Sequence, residues 1–283
     1  MKKDNAHPKK KIALITGGGG AIAEAIALRL EKEGYQLLLS DISLEKMSQV
    51  KEKLNGNPRF FVCDQTNPEE IQNLIHSIQE DYPEISVLIN NAGYTKEGPF
   101  TSQSINDIQR QIWINLLSPI HITHGILPLM LKRNEGAIVS IVSIGGIIAL
   151  ADSSLYSAGK FGLRGFLTAL YEELKDTKIK VSGIYPAAVD TPMLLHEALN
   201  GGTALNWVNQ VQTPDEVAHA VMKGIKKGRL EIYVPYSDGL LSRLVAVFPW
   251  LMGKLSPALL WIGKRNQQKW LKDKGIIPTK TMP

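Results

Sequence analysis

A single cysteine, Cys63, serves 283 residues, so no disulfide can form within the chain. It sits in the apolar run Arg59-Phe60-Phe61-Val62-Cys63, the setting of a buried structural thiol, and fits a reducing, cytoplasmic compartment. Long apolar runs are scarce as well. The stretch after Lys9-Lys10-Lys11 lasts about four residues before glycines interrupt it, too short for the apolar segment of a secretory signal, and residues 1–10 are expected to form a disordered basic arm. Metal-ligand spacing is missing: His121 and His124 share a helix face with no third ligand nearby, and they are expected to pack rather than bind an ion. No internal repeat or low-complexity linker is present.

The net charge of +5 is misleading, because the body of the chain lacks a basic excess. Residues 1–11 hold five lysines and one acid, and residues 253–283 hold seven cations and one acid, which leaves 20 basic against 25 acidic residues between them. A nucleic-acid reader carries its basic stripe on the folded body, so no nucleic-acid partner is expected.

What is there is an alternation. Short runs rich in branched residues, at 11–16, 35–40, 59–63, 86–90, 136–142, 179–185 and 230–234, are separated by helical spacing at 21–33, 43–54, 68–80, 104–133, 154–175 and 214–227. Strands that are apolar throughout, each followed by a helix, belong to a parallel sheet covered on both faces. The expected fold is α/β: a doubly wound, Rossmann-type, seven-stranded parallel sheet over residues 11–235, with a helical extension over 236–283. Asn67-Pro68-Glu69-Glu70 and Thr213-Pro214-Asp215-Glu216 each supply a capping side chain, a proline for the first helical position and first-turn acids. Ser256-Pro257 is read the same way, as the start of a last helix ending before Gly275.

The first strand runs into Thr16-Gly17-Gly18-Gly19-Gly20-Ala21-Ile22-Ala23. In a doubly wound fold this turn binds a pyrophosphate through backbone amides at a helix start. The G-x-G-x-x-G/A spacing fits Gly18, Gly20 and Ala23; a G-x-x-x-G-x-G spacing would fall on Gly17, Ala21 and Ala23. Asp41 ends the second strand, where a carboxylate accepts hydrogen bonds from a ribose and repels a 2′-phosphate. No lysine or arginine lies in the glycine turn or directly after Asp41, so NAD is expected over NADP. The competing role for Asp41 is to cap the next helix.

Further along stand Ser143-Ile144-Gly145-Gly146 and Tyr156-Ser157-Ala158-Gly159-Lys160. With these motifs the chain resembles the short-chain dehydrogenase/reductase family, single-domain type, over residues 10–235. The family's Y-x-x-x-K pair matches Tyr156 and Lys160, its serine matches Ser143, and its mid-helix asparagine matches Asn115. Its N-N-A-G turn matches Asn90-Asn91-Ala92-Gly93, and its adenine-contacting aspartate matches Asp64. Pro186-Ala187-Ala188-Val189-Asp190-Thr191 resembles the family's P-G segment, with Ala187 where glycine is usual. The resemblance implies a nicotinamide cofactor held by Gly17 to Gly20, Ala21, Ile22, Asp41, Asp64, Asn91, Ala92, Gly93, Tyr156, Lys160, Pro186, Val189 and Thr191. It also implies that Ser143 holds the substrate oxygen, that Asn115 anchors a water, and that the chain forms a homodimer or homotetramer through the helices at 104–133 and 154–175.

The chemistry asks a phenol with a pKa near 10 to exchange a proton near neutrality. A lysine ammonium one turn away favours the phenolate, so Lys160 is expected to lower the pKa of Tyr156, the acid/base. Tyr171-Glu172-Glu173-Leu174-Lys175 repeats the Y-x-x-x-K pattern about 22 Å further along the same helix, and is expected to be a solvated helix end.

By the same resemblance the substrate pocket takes Tyr94 and Phe100, then Ile144, Ile147, Ile148 and Leu150, then Met193, Leu194, Leu195 and Trp207. Such a lining favours an apolar alcohol or ketone, of lipid, sterol, retinoid or terpenoid type. The expected activity is an NAD-dependent oxidoreductase; the alternatives are a non-catalytic NAD(H)-binding sensor or scaffold, and an NADPH-dependent ketone or 3-oxoacyl reductase. Residues 236–275 repeat leucines at helical spacing with interspersed cations and three tryptophans, and Pro249 and Pro257 are expected to break them into short helices. This is not a spanning segment. Two readings stay open for it: an in-plane membrane contact, or a helical pair packed on its own domain or a sister subunit.

Overall fold

The computed structural model describes residues 11–276; the basic arm read at 1–10 lies outside them. Seven strands, β1 (Ile12–Thr16), β2 (Gln36–Asp41), β3 (Arg59–Val62), β4 (Val87–Asn90), β5 (Gly136–Ile141), β6 (Ile179–Pro186) and β7 (Glu231–Val234), form one sheet in the order β3-β2-β1-β4-β5-β6-β7. Every neighbouring pair is parallel. The order reverses between β1 and β4, which opens a crevice beyond their carboxyl ends.

Alternate residues of each strand feed two cores. Ile12, Leu14, Leu38, Leu88 and Ile138 face the side covered by α3 (Pro68–Asp81), α5 (Ser118–Arg133) and α6 (Ser154–Glu173). Ala13, Ile15, Leu39, Ile89 and Val139 face the side covered by α1 (Ala21–Lys32), α2 (Leu44–Lys51) and α8 (Pro214–Lys227). Burying each large aliphatic side chain contributes about 1.5–3 kcal/mol, so both faces stabilise the sheet. Cys63 belongs to the first core, and burial pushes its thiol up to about 12.

Local chemistry sets the helix starts. The Asn67 side chain accepts from the Glu69 amide at 3.0 Å to open α3. Thr213 and Glu216 exchange hydrogen bonds in a capping box that opens α8, with Pro214 at its first position.

The helix expected at 104–133 is α4 (Ile105–Ile112), a π-helical turn (Trp113–Leu117) and α5 in one run. The Asn115 side-chain amide donates to the Gln111 carbonyl at 3.0 Å, taking the acceptor that a regular turn would give to its own backbone N–H. In this run His121 packs edge-on against Trp113.

The extension folds onto its own domain. After α7 (Pro192–Leu199) and a 3₁₀ turn (Ala204–Trp207), the chain passes through α8 and β7 into α9 (Tyr236–Val247) and α10 (Trp250–Asp273). A Cβ at Gly239 would lie 2.0 Å from the Tyr233 ring, so the α9 backbone rests directly on β7. Arg243 of α9 stacks on that ring and pairs with Glu231. A Cβ at Gly263 would lie 2.0 Å from the Ala204 carbonyl oxygen, Trp270 packs on Trp207 at 5.8 Å, and Lys274 pairs with Asp190 at 2.8 Å. The expected break at Pro257 is absent: this proline lies inside α10. Its missing N–H leaves the Gly253 carbonyl without the usual donor, and the Ser256 hydroxyl donates there at 3.4 Å.

Candidate active site

A cleft of about 740 Å³ runs across the carboxyl ends of the strands from β2 to β6. Near β1 it is lined by Gly17, Gly19, Gly20, Ala21 and Ile22. Gly20 is the N-cap of α1 and brings no side chain to cap it, so the first amides of that helix are left for a ligand. Gly17 is the glycine of this run with a positive φ, +62°. Gly18 turns from the cleft and packs on Leu39, where a Cβ would come within 2.9 Å of the Leu39 side chain. Ala21 begins α1 and Ala23 is buried in the second core, so both alanines sit in helix, where a methyl group costs nothing.

Asp41 lines the same end with both carboxylate oxygens engaged: one accepts from the Gly19 amide, the other from the Ser43 amide, each at 3.0 Å. The N-cap of α2 is Ser43, so Asp41 braces the glycine turn instead of capping that helix itself. Lys46 and Gln49 of α2 also line this end, and Lys46 is a cation the sequence reading missed because it lies five positions beyond Asp41, one helical turn into α2. Asp64 is not brought to the cleft; its carboxylate accepts from the Thr66 amide and hydroxyl at 2.9 and 2.8 Å and shapes its own turn.

The second wall is the turn after β4. The Thr16 hydroxyl oxygen accepts from the Asn91 and Ala92 amides, both at 3.1 Å, and the Asn91 side chain donates to the Thr16 carbonyl at 2.9 Å. Asn91, Ala92 and Gly93 are thereby fixed beside the glycine turn.

Ser143, Tyr156 and Lys160 meet in the middle of the cleft. Ser143 has φ +120°, a strained conformation for a side-chain-bearing residue that costs about 1–3 kcal/mol. Its oxygen accepts from the Gly145 amide at 3.0 Å, which leaves its hydroxyl proton to donate. A Cβ at Gly145 would come within 3.0 Å of the Tyr156 ring, so this glycine lets the ring lie close against the turn. The Lys160 ammonium donates to the Ile141 carbonyl at 2.9 Å and lies 5.7 Å from the Tyr156 ring centre. Asn115 is fully buried beside them, donating to the Tyr94 carbonyl at 2.6 Å. Gly159 faces Asn115 rather than the cleft: a Cβ there would lie 2.8 Å from the Asn115 Cβ.

The electrostatics differ from expectation. Burial pushes the Tyr156 phenol up to about 12, against a lowering hydrogen bond from Ser143, and the Glu197 and Glu97 carboxylates add to the rise. Burial also pushes Lys160 down to about 8. Desolvation outweighs the attraction expected between ammonium and phenolate, because both groups lose water.

On the β6 side, Pro186, Val189 and Thr191 line the cleft. Ala187 is absent from the positive-φ residues, so alanine fits where glycine is usual. The Thr191 hydroxyl caps α7, accepting from the Leu194 amide at 3.3 Å and donating to the Val189 carbonyl at 3.2 Å.

Ile144, Ile148, Leu150, Met193 and Leu194, assigned by resemblance to a substrate pocket, line the apolar end of the cleft. Tyr94 does not; its ring lies under the Arg110 guanidinium at 4.8 Å. Phe100 is exposed, Ile147 is in the first core, Trp207 is buried under α10, and Leu195 is off the lining. Their places are taken by Leu241, Val245, Met252, Leu255 and Leu259 of α9 and α10, which no local pattern assigned to the cleft. Tyr171 packs on the first core.

Two carboxylates also line this apolar end. Glu97 accepts from the Thr203 amide at 2.8 Å, and Glu197 accepts from the Asn206 side chain at 2.9 Å. Burial, reinforced by Glu97, pushes Glu197 up to about 8. The native state therefore binds an extra proton between about pH 4.5 and 8, and stability falls as pH rises through that window. Glu197→Gln is expected to raise Tm, with a gain near zero below pH 4.5 that widens to a plateau above about pH 8. Thermal unfolding across that range measures it; a gain independent of pH would show that Glu197 is not held protonated.

The family model described as short chain dehydrogenase matches residues 11–200. Estradiol 17-beta-dehydrogenase 11 of Rattus norvegicus is 31% identical over 254 residues, covering 86% of this chain and 83% of the rat protein. Among solved structures, a short-chain dehydrogenase from Sphingobium yanoikuyae in complex with NADPH superposes with a TM-score of 0.72 at 25% identity, over 87% of this chain and 95% of its own. A bulky-bulky ketone specific alcohol dehydrogenase from Comamonas testosteroni superposes with a TM-score of 0.71 over 87% and 95%; at 24% identity it shares the fold.

Proposed function

The chain belongs to the short-chain dehydrogenase family of nicotinamide-dependent oxidoreductases, and from that premise we propose that it interconverts an apolar alcohol and its ketone, with NAD as the preferred cofactor. The observation that carries the reading is the convergence of Ser143, Tyr156 and Lys160 in a cleft whose far wall is aliphatic. The nucleotide would lie on the uncapped start of α1, against Gly17, Gly19 and Ala92, with its adenosine ribose at Asp41 and its nicotinamide beside Lys160 and Val189. When bound, the nicotinamide supplies or accepts the hydride.

The chain's own groups handle the proton. A substrate carbonyl oxygen accepts from the Ser143 and Tyr156 hydroxyls, and Tyr156, protonated up to about pH 12, delivers its proton as the carbonyl is reduced. Lys160, titrating at about 8, exchanges protons near neutrality and returns one to the phenolate. Asn115 keeps the π-helical turn and the Tyr94 backbone in place behind Lys160.

A panel of alcohols and ketones, scored by absorbance of the reduced nicotinamide, tests the reading; turnover confined to sugars would overturn the substrate class. NADH is expected to bind more tightly than NADPH, and Asp41→Ala to narrow the gap, as read by fluorescence titration. Lys46 favours a second reading, because its cation lines the adenosine end and suits a 2′-phosphate. Tighter NADPH binding that Lys46→Gln abolishes would establish that alternative. The buried thiol of Cys63 supports a cytoplasmic setting. A homodimer or homotetramer through α4–α5 and α6 is supported by Leu131 and Phe161, which stand exposed on those helices.

A further inference from the structure

More than half of the large hydrophobic side chains exposed on the described surface come from α9, α10 and their junction. On α9 and the corner after it stand Leu240, Leu244 (62% exposed), Val247 (66%) and Phe248, and Trp250 (63%) begins α10 with its ring edge-on to Phe248. Along α10, the spacing Trp250, Lys254, Trp261, Arg265, Lys272 places tryptophans and cations on one exposed helix face. Lys254 lies over the Trp250 ring at 5.1 Å, and Trp261, Arg265 and Lys269 line a shallow groove of about 250 Å³.

Charge selects the occupant. From Gly239 to Lys272 there are six cations, of which Arg243 is paired with Glu231, and no aspartate or glutamate, although acids outnumber bases across the body of the chain. A second copy on this face would bring two like-charged surfaces together, whereas an anionic bilayer complements it. Aromatic rings beside cations, above an aliphatic corner, are the composition of a helix lying in the headgroup region.

The patch is also continuous with the cleft. Leu241 and Leu255 are exposed at the surface and line the cleft at the same time, with Met252 and Leu259 behind them. The run 105–133, long and apolar enough by composition to cross a bilayer, packs its Ile122, Ile126 and Met130 into the first core instead.

We propose that the α9–α10 face docks on the surface of an anionic lipid bilayer, and that the cleft receives its apolar substrate from that surface. The docking stands on the face itself; the delivery rests on the oxidoreductase reading above. Full-length protein is expected to co-sediment with phosphatidylcholine vesicles containing phosphatidylglycerol, weakly with phosphatidylcholine alone, and less as salt rises. Lys254→Gln with Arg265→Gln should lower partitioning on the order of tenfold or more, at about fivefold per cation lost. Leu244→Asp with Val247→Asp should abolish it while leaving turnover of a short water-soluble ketone unchanged, since neither residue lines the cleft. Wild-type protein that fails to bind the anionic vesicles overturns the proposal. So does vesicle binding that survives the aspartate pair, or a pair that splits an oligomer in sedimentation velocity without changing vesicle binding. Sedimentation needs no turnover, so an inactive protein that still binds vesicles would refute the oxidoreductase reading and leave the docking intact.

Discussion

Tyr156→Phe is expected to lower turnover by about 10²–10⁴-fold while leaving nucleotide affinity unchanged. The substitution removes one oxygen and keeps the ring that packs against Gly145, so the turn carrying Ser143 stays in place. Lys160 keeps its bond to the Ile141 carbonyl, so the nucleotide wall does not move. What is lost is the hydroxyl that donates the proton in the proposed mechanism. The control is Tyr171→Phe, which alters the other Y-x-x-x-K tyrosine of α6, packed on the first core, and should leave turnover intact. Rates from nicotinamide absorbance and affinities from fluorescence titration decide it together. An active Tyr156→Phe protein, or an inactive Tyr171→Phe protein, would assign the proton to another group.

The second large effect belongs to Gly17→Ala. Alanine at φ +62° costs about 1–2 kcal/mol, and its Cβ would lie 2.8 Å from the Ala92 Cα. That neighbour is backbone, and Thr16 holds it by the bond to the Ala92 amide. The glycine turn and the turn after β4 must then move apart, and a misplacement of about 1 Å is expected to lower turnover on the order of 10²-fold, with weaker nucleotide binding and a lower Tm. Gly34→Ala separates the two causes, since Gly34 has φ +80° but nothing within 4 Å of a Cβ. It should lose a little stability and no nucleotide affinity. Equal binding by Gly17→Ala and wild type would show that the two turns are not rigidly joined.

Much of this was legible in the chain. Strands buried on both faces leave runs such as Ile12-Ala13-Leu14-Ile15, and prolines after Asn67 and Thr213 mark helix starts to the residue. Ser143, Tyr156 and Lys160 were legible because their spacing repeats a family pattern, and the cleft does bring them together. Long-range packing was not legible. Nothing near Tyr94 foretells that Arg110 covers its ring, and nothing local links Glu97 to Thr203 across more than a hundred residues. The π-helical turn escaped because it depends on which carbonyl the Asn115 side chain takes. Pro257 misled because a neighbouring serine hydroxyl can make up for a missing amide. The rise of the Tyr156 phenol, where a lowering by Lys160 was expected, and the fall of Lys160 itself come from burial, a property of the folded site that residue spacing does not carry.

The close seat of Gly263 on the Ala204 carbonyl reaches beyond packing. It seats α10 so that Met252, Leu255 and Leu259 lie on the cleft lining, while α10 supplies nothing to Ser143, Tyr156 or Lys160. Part of the apolar lining thus resides on a stretch of chain separate from the proton-handling groups. A substitution at Met252, Leu255 or Leu259 would reshape that part of the lining while leaving Ser143, Tyr156 and Lys160 in place.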